Sequence, residues 1–290
     1  MIETPSIQWF PGHMAKTRRM IKSCLPLADA VAEIIDARIP SASRNPELGT
    51  LIEGKPRIVI MNKCGLADEN ATAQWLRRLK EEGSEAIAVD CKSGRGLDKF
   101  PAAVNSLLGE LIRKNKEKGM SGRPLRLMVT GIPNVGKSTF INCFAPSKKA
   151  AAEDRPGVTK DKQWVKVNGN IELLDMPGLL WPKFEDKEAA ERLAFTGAVK
   201  DDVVDTEALA CRLLMLLNRD YHGNLKERYK YMPDSSEEDG YELLCMAGKS
   251  RGMLLKGGEI NTERAAAAVL DEFRSGKLGR ITLERIEDRR

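Results

Sequence analysis

The segment Gly131-Ile-Pro-Asn-Val-Gly-Lys-Ser138 constrains this chain more than any other feature. It matches G-x-x-x-x-G-K-[ST] and stands between an apolar run, Leu125–Thr130, and a helix-forming stretch through Phe140. The chemistry of the pattern requires that context. Glycines let successive backbone N–H groups curl around phosphate oxygens, and the N-terminus of the following helix adds positive potential. Lys137 is expected to reach the outer phosphates, and Ser138 offers a hydroxyl ligand to magnesium. Asn134, Val135, Gly136 and Thr139 complete the expected cradle.

Around this loop, short β-rich runs alternate with loops and helical patterns through the first 180 residues. That is the rhythm of an α/β fold, a mostly parallel sheet with helices on both faces. Strands are expected at Ala30–Ile35, Arg57–Met61, Ala86–Val89, Leu125–Thr130, Gln163–Val167 and Ile171–Leu174. The last two flank Asn168-Gly169-Asn170, so an antiparallel hairpin is expected at the sheet edge. Leu97 to Arg113 has helical spacing, and the basic, glycine- and proline-broken segment after it reads as a linker between two halves of the sheet. After Pro182 the strand signal fades, and residues 185–200, 203–218 and 262–275 are helical in pattern, the last capped by Asn261 or Thr262. The expected organisation is an α/β domain at 1–182 followed by an all-α domain at 183–290.

Composition narrows the class further. A chain of 290 residues buries a large core without disulfide staples. The longest strongly apolar stretch, Leu209 to Leu217, is interrupted by Arg212 and is about half the ~20 residues of a membrane span. No membrane partner is expected. The N-terminal MIETPSIQWFPGH lacks the basic start and apolar block of a signal peptide, so a cytoplasmic location is expected. The six cysteines form no C-x-x-C pair and only two histidines are present, which favours packed, reduced thiols over zinc ligands or disulfides. A net charge of +5 permits a polyanionic partner, while 5% aromatics argues against gripping single strands by base stacking.

Four further segments acquire meaning from the phosphate loop. Asp175-Met-Pro-Gly178 follows the expected strand Ile171–Leu174 and fits the D-x-x-G pattern of GTPases. In that pattern the aspartate holds magnesium through water and the glycine N–H meets the γ-phosphate. Thr159, in Arg155-Pro-Gly-Val-Thr, is the candidate switch threonine, so the expected metal ligands are Ser138, Thr159 and Asp175. Asn62-Lys63-Cys64-Gly65 stands where the guanine-reading N-K-x-D motif would, but Gly65 replaces its aspartate and Asp68 lies three residues further on. Asp90-Cys91-Lys92-Ser93 resembles the S-A-K motif that supports the base, with Cys91 and Lys92 as candidate contacts. Charge-assisted hydrogen bonds to a base edge are worth ~1–3 kcal/mol, so a missing carboxylate predicts about tenfold or more lost preference for guanine.

The order of these motifs is informative in itself. Base-reading pieces come first, at 62–65 and 90–93, and phosphate pieces follow, at 131–138, 159 and 175–178. This reverses the ordinary GTPase order. A parallel sheet is rejoined this way when a linker connects the former ends. The chain then leaves Gly178 and runs into the second domain, so occupancy of the γ-phosphate site is expected to move that domain.

Permuted order, Gln8-Trp-Phe-Pro-Gly-His-Met-Ala-Lys16, Asp36-Ala-Arg38-Ile-Pro40 with Ser43-Arg-Asn-Pro46, and Asp175-Met-Pro-Gly-Leu-Leu-Trp-Pro182 together resemble the bacterial ribosome biogenesis GTPase A family. Lys183-Phe-Glu-Asp186, Leu225-Lys-Glu-Arg-Tyr229 and Gly257-Gly258 extend the resemblance into the C-terminal half. It implies a circularly permuted P-loop GTPase domain with a helical domain, GTP and GDP as ligands with Mg2+, and a role in late maturation of the large (50S) ribosomal subunit. The implied partner is a precursor of that subunit, rRNA and ribosomal proteins included, with no DNA partner and a monomeric chain. Because Leu179 stands where many GTPases place a water-orienting glutamine, the resemblance makes His13, in Pro11-Gly12-His13, the candidate catalytic histidine beside Lys137. Asn134 resembles the asparagine with which potassium-activated GTPases hold K+ between phosphates. Basic residues available to rRNA are Lys226, Arg228 and Lys230 beside Tyr229, then Lys249 and Arg251, with Lys16, Arg18 and Arg19 as a second patch. Intrinsic hydrolysis is expected on the order of 10⁻³ s⁻¹, accelerated by a large partner. Two other readings stay open on the residues alone: a P-loop ATPase or kinase with relaxed base selectivity, and a nucleotide-sensing RNA-binding module without hydrolysis.

Overall fold

The computed structural model describes residues 11–52, 54–144, 164–167, 170–180, 186–199, 201–230 and 239–286. They fall into two compact units, residues 11–180 with 284–286, and residues 186–283. Thr159 lies outside the described residues.

In the first unit, β1 (Ala30–Asp36), β2 (Arg57–Asn62), β3 (Glu85–Ala88), β4 (Leu125–Thr130), β5 (Trp164–Val167) and β6 (Ile171–Asp175) form one sheet. Its order is β3-β2-β1-β4-β6-β5. Every neighbouring pair is parallel except β5 with β6, the edge hairpin expected around Asn168–Asn170. All seven residues of β1 are buried, so both faces of the sheet are covered. The two halves of the motif set meet at the β1–β4 pair, where Ala32 lies beside Val129.

Eleven helices are described. In the first unit they are α1 (Pro11–Cys24), α2 (Pro46–Leu51), α3 (Glu69–Glu81), α4 (Phe100–Leu107), α5 (Gly109–Glu117) and α6 (Lys137–Phe144). Val31, Met128 and Leu174 of the sheet are buried with Ile21 and Cys24 of α1 and Leu48 of α2. Ile35, Val59 and Met61 are buried with Trp75 and Leu79 of α3. Phe100 of α4 and Phe140 and Phe144 of α6 pack edge-to-face or tilted, with ring centroids 5.1–5.3 Å apart, joining the helix after β3 to the helix after the phosphate loop.

Three differences from the sequence expectation have identifiable causes, two of them local. The helix expected over Leu97–Arg113 is interrupted at Leu108, whose ψ of 18 breaks the α conformation ahead of Gly109. Helix α5 then runs to Glu117, into the segment read as linker. Its exposed face is sustained by i,i+4 pairs, Lys114 with Glu110 and Arg113 with Glu117, and by lysines in its last turn. The tail is the third difference. Glu284 accepts the backbone N–H groups of Ser41 and Ala42, and its carbonyl accepts Trp75 Nε1–H at 2.8 Å. Ile286 packs on the Trp75 cluster, so 284–286 belong to the sheet unit and not to the helical segment expected to run to 290.

The second unit holds α7 (Lys187–Phe195), α8 (Thr206–Asp220), α9 (His222–Tyr229), α10 (Gly240–Ser250) and α11 (Thr262–Ser275). Asp205 caps α8 by accepting Ala208 N–H, and Asn261, of the two candidates, caps α11 by accepting Arg264 N–H. Leu209, Leu213, Leu214 and Leu217 turn one face of α8 into the core, which is why the longest apolar stretch of the chain is a bundle helix.

Candidate functional site

The candidate site lies at the C-terminal ends of the parallel strands, where an open α/β sheet leaves a crevice. From β4 the chain enters the phosphate loop at Gly131, whose φ of 147 is open to glycine and whose β-carbon would collide with the Ile34 carbonyl. Asn134 takes φ 62 and Gly136 φ 95, after which α6 begins at Lys137. Lys137 is only 8% exposed and donates Nζ–H to the Ile132 carbonyl at 2.8 Å, so it folds back across the loop. Burial lowers its pKa to about 8, against the opposing pull of Asp175. Ser138 and Thr139 are exposed in the first turn of α6, while Val135 is buried beneath the loop.

The base-reading pieces are tied to this loop by side chains. Asn62, 2% exposed at the end of β2, donates Nδ2–H to the Val135 carbonyl at 2.8 Å and accepts Cys91 N–H on Oδ1 at 3.2 Å. One amide therefore joins three loops. Lys63 takes a left-handed φ of 59 and donates Nζ–H both to the Asn134 carbonyl, at 2.8 Å, and to Asp36 Oδ2, at 3.0 Å. Asp36 also receives Arg38 through Nε and Nη2, at 3.0 and 2.8 Å. Burial by itself would raise the Asp36 pKa, but the Arg38 guanidinium and the Lys63 ammonium hold it well below the usual carboxylate range. It is an ionised anchor for Lys63, and nothing in the motif pattern marked it for that role.

On the metal side, Ser138 Oγ donates to Asp175 Oδ2 at 2.8 Å, bringing together two of the three expected ligands. Gly178 sits so close to the phosphate loop that a β-carbon would lie 2.9 Å from Pro133 N and 3.0 Å from its Cα. The next residue is pinned at both ends: Leu179 donates N–H to the Gly131 carbonyl and accepts Asn45 Nδ2–H. Its side chain, 1% exposed, is buried with Ile21, Leu48 and Met176. Leu179 is thus a core residue.

The remaining candidates are placed as follows. Pro11-Gly12-His13 opens helix α1. Cys91 is half-buried and Lys92 exposed, with Lys92 N–H donating to Asp90 Oδ1. Asp68 is spent as the cap of α3, accepting Ala71 N–H at 2.8 Å. Cys24, Cys64 and Cys211 are buried as small hydrophobes, whereas Cys143 is exposed on α6. In the second unit, Lys226, Lys230 and Lys249 are exposed. Arg228 and Arg251 instead pair with Glu272, at 3.0 Å through Arg228 Nε and 3.2 Å through Arg251 Nη2, and buried Tyr229 donates its hydroxyl to the same carboxylate. Those two arginines, grouped with the lysines in the sequence reading, are engaged by an internal carboxylate. Burial would raise the Glu272 pKa, but hydrogen bonds from Arg228 and Tyr229 and the nearby arginine charges hold it below its ordinary value.

Comparison with known proteins agrees with this geometry. The family model described as 50S ribosome-binding GTPase matches residues 126–238, a span that begins inside β4 and holds the phosphate-side motifs alone. The chain is 45% identical to ribosome biogenesis GTPase A of Bacillus cereus, over 97% of its own length and 95% of that protein. It is also 45% identical to ribosome biogenesis GTPase A of Priestia megaterium, over 96% of each. Among solved structures, GDP-bound TM YlqF matches with a TM-score of 0.66 at 26% identity, covering 93% of this chain and 100% of that one. With base-side strands preceding phosphate-side strands in one sheet and full-length relatives of the same kind, the chain belongs to the ribosome biogenesis GTPase A family and its sheet unit is a circularly permuted P-loop GTPase domain.

Proposed function

We propose that this chain hydrolyses GTP to GDP and phosphate and uses the nucleotide state to bind and leave a precursor of the large ribosomal subunit. The observation that carries the reading is the convergence of Lys137, Ser138, Asp175 and Gly178 on one loop, cross-linked through Asn62 and Lys63 to the base side. The names of its relatives supply the ribosomal partner.

Phosphoryl transfer to water requires neutralisation of charge on the phosphates and positioning of the nucleophile. Lys137 and the N–H groups opening α6 face the first task. The hydroxyl of Ser138 and the carboxylate of Asp175 are hard oxygen donors of the kind magnesium takes, and Thr159 is the third proposed ligand. Magnesium, when bound, supplies charge neutralisation at the outer phosphates. Asn134 is the proposed holder of a potassium ion. With Leu179 buried in the core, the water-positioning group comes from another segment, and His13 is the proposed one. Lys226, Lys230 and Lys249 are the proposed rRNA contacts; phosphate-dominated binding falls steeply with salt.

The test is co-sedimentation with precursor 50S particles in a non-hydrolysable GTP analogue, beside single-turnover hydrolysis with and without 50S subunits. Expected are analogue-dependent attachment and particle-stimulated phosphate release, both lost in Lys137→Ala. Attachment unchanged in Lys137→Ala refutes the reading. Turnover in K+ against Na+, in the parent and in His13→Ala, tests the two hydrolysis assignments separately.

A further inference from the structure

Gly65 leaves the base-side motif without its carboxylate, yet backbone geometry does not explain a glycine there, since Gly65 is not among the glycines of positive φ. Space does. A β-carbon built on Gly65 would lie 2.4 Å from Asp90 Oδ2 and 3.2 Å from Asp90 Cγ. Within an aspartate, ordinary bond lengths separate Cβ from a carboxylate oxygen by roughly the same 2.4 Å. The Asp90 oxygen therefore stands as far from residue 65 as the oxygen of an aspartate at 65 would stand from its own β-carbon. Resting on the nucleotide reading above, we infer that Asp90 is the guanine-reading carboxylate of this chain, delivered from the neighbouring loop in place of residue 65.

The placement is held by backbone bonds from both loops. Cys64 N–H donates to the Val89 carbonyl at 3.1 Å, which docks the 62–65 segment on the end of β3. Asp90 N–H donates to the Arg95 carbonyl at 2.9 Å, and Gly94 N–H returns to the Asp90 carbonyl at 2.8 Å, closing the 90–95 turn. The side chain is oriented in turn: Oδ1 accepts Lys92 N–H at 3.0 Å and Oδ2 accepts Ser93 Oγ–H at 2.9 Å. An ionised carboxylate offers about four acceptor positions, so two remain for the N1–H and exocyclic N2–H donors of guanine. Adenine presents no such pair on that edge. Asp68, the other carboxylate close in sequence, is consumed as the cap of α3. Asp90 also occupies the first position of the S-A-K-like segment, where the motif has serine. The two departures are thus one exchange: the carboxylate moves from one loop to the next, and the residue it moved from becomes glycine to make room.

The test measures affinities of the full chain for GDP, xanthosine diphosphate and ADP by titration calorimetry. In Asp90→Asn the amide still accepts Lys92 N–H, but it presents a donor that suits the C2 carbonyl of xanthine and repels the guanine amine. GDP affinity should fall roughly 10- to 100-fold, and xanthosine diphosphate should bind more tightly than GDP. Gly65→Asp alone should weaken GDP, because its β-carbon meets Asp90, whereas Gly65→Asp with Asp90→Ser should restore guanine preference. An Asp90→Asn protein with the parent's ratio of the three affinities overturns the assignment. So does a parent that binds ADP as tightly as GDP, and in both cases phosphate-loop binding of nucleotide stands. A parent that binds none of the three removes the proposed function and this assignment with it.

Discussion

Truncating Asn62 to alanine tests whether one buried amide couples the base loops to the phosphate loop. The side chain makes a 2.8 Å bond to the Val135 carbonyl and a 3.2 Å bond from Cys91 N–H, and the residue is 2% exposed. Leaving a buried polar group unpaired costs about 1–3 kcal/mol; Val135 is enclosed, while half-buried Cys91 regains some water, so the sum is about 2–4 kcal/mol. For a unit of this size each kcal/mol lowers Tm by about 2–4 °C, which places the expected drop at about 4–16 °C. Scanning calorimetry of the nucleotide-free chain reads it, and GDP titration should show at least a roughly tenfold loss of affinity as both loops relax. Asn62→Asp sharpens the test. It keeps the acceptor for Cys91 but turns an oxygen toward the Val135 carbonyl, so its Tm should be no higher than that of Asn62→Ala. An alanine variant within about 1 °C of the parent, or an aspartate variant as stable as the parent, refutes the coupling.

Gly178→Ala places a β-carbon 2.9 Å from Pro133 N, where backbone cannot retreat, and should destabilise the sheet unit by about 1–3 kcal/mol while slowing single-turnover hydrolysis at least tenfold. Glu272→Ala leaves Arg228, Arg251 and the Tyr229 hydroxyl without their shared acceptor, and should cost the helical unit about 2–4 kcal/mol, seen as faster hydrogen exchange in α9 and α11. Because the folded pKa of Glu272 lies below its ordinary 4.5, its contribution is present above pH 4.5 and is lost as pH falls through the folded value. Thermal melts between pH 6 and 3 should show an acid loss of stability that is smaller in Glu272→Gln.

What could be read from the residues divides along a physical line. The phosphate loop was legible because one continuous segment carries its whole chemistry: glycines for the turn, Lys137, and the N-terminus of α6. The strands were legible because hydrophobic runs and turn residues are local signals, and all six lie within a residue or two of their expected places. Motif order announced the rejoined sheet before the β1–β4 pairing showed it. Helix α1 was not marked, since among its described side chains from Ala15 on, Ile21 and Cys24 are the buried apolar ones in a mostly polar run. The partners of charged side chains were hidden as well. Lys63 reaches Asn134 across 71 positions and Asp36 across 27, Arg228 is drawn to Glu272 across 44, and Glu284 returns to cap the loop after β1.

The departure at Gly65 shows why. From the chain alone, the missing side chain and the aspartate 25 positions later are two unrelated letters. Strand β3 beside β2 brings their loops together and makes them one feature. Periodicity and backbone freedom belong to a residue and its immediate neighbours, so they survive in the linear code; the position of a carboxylate in space belongs to the sheet order, and appears once the strands are laid side by side.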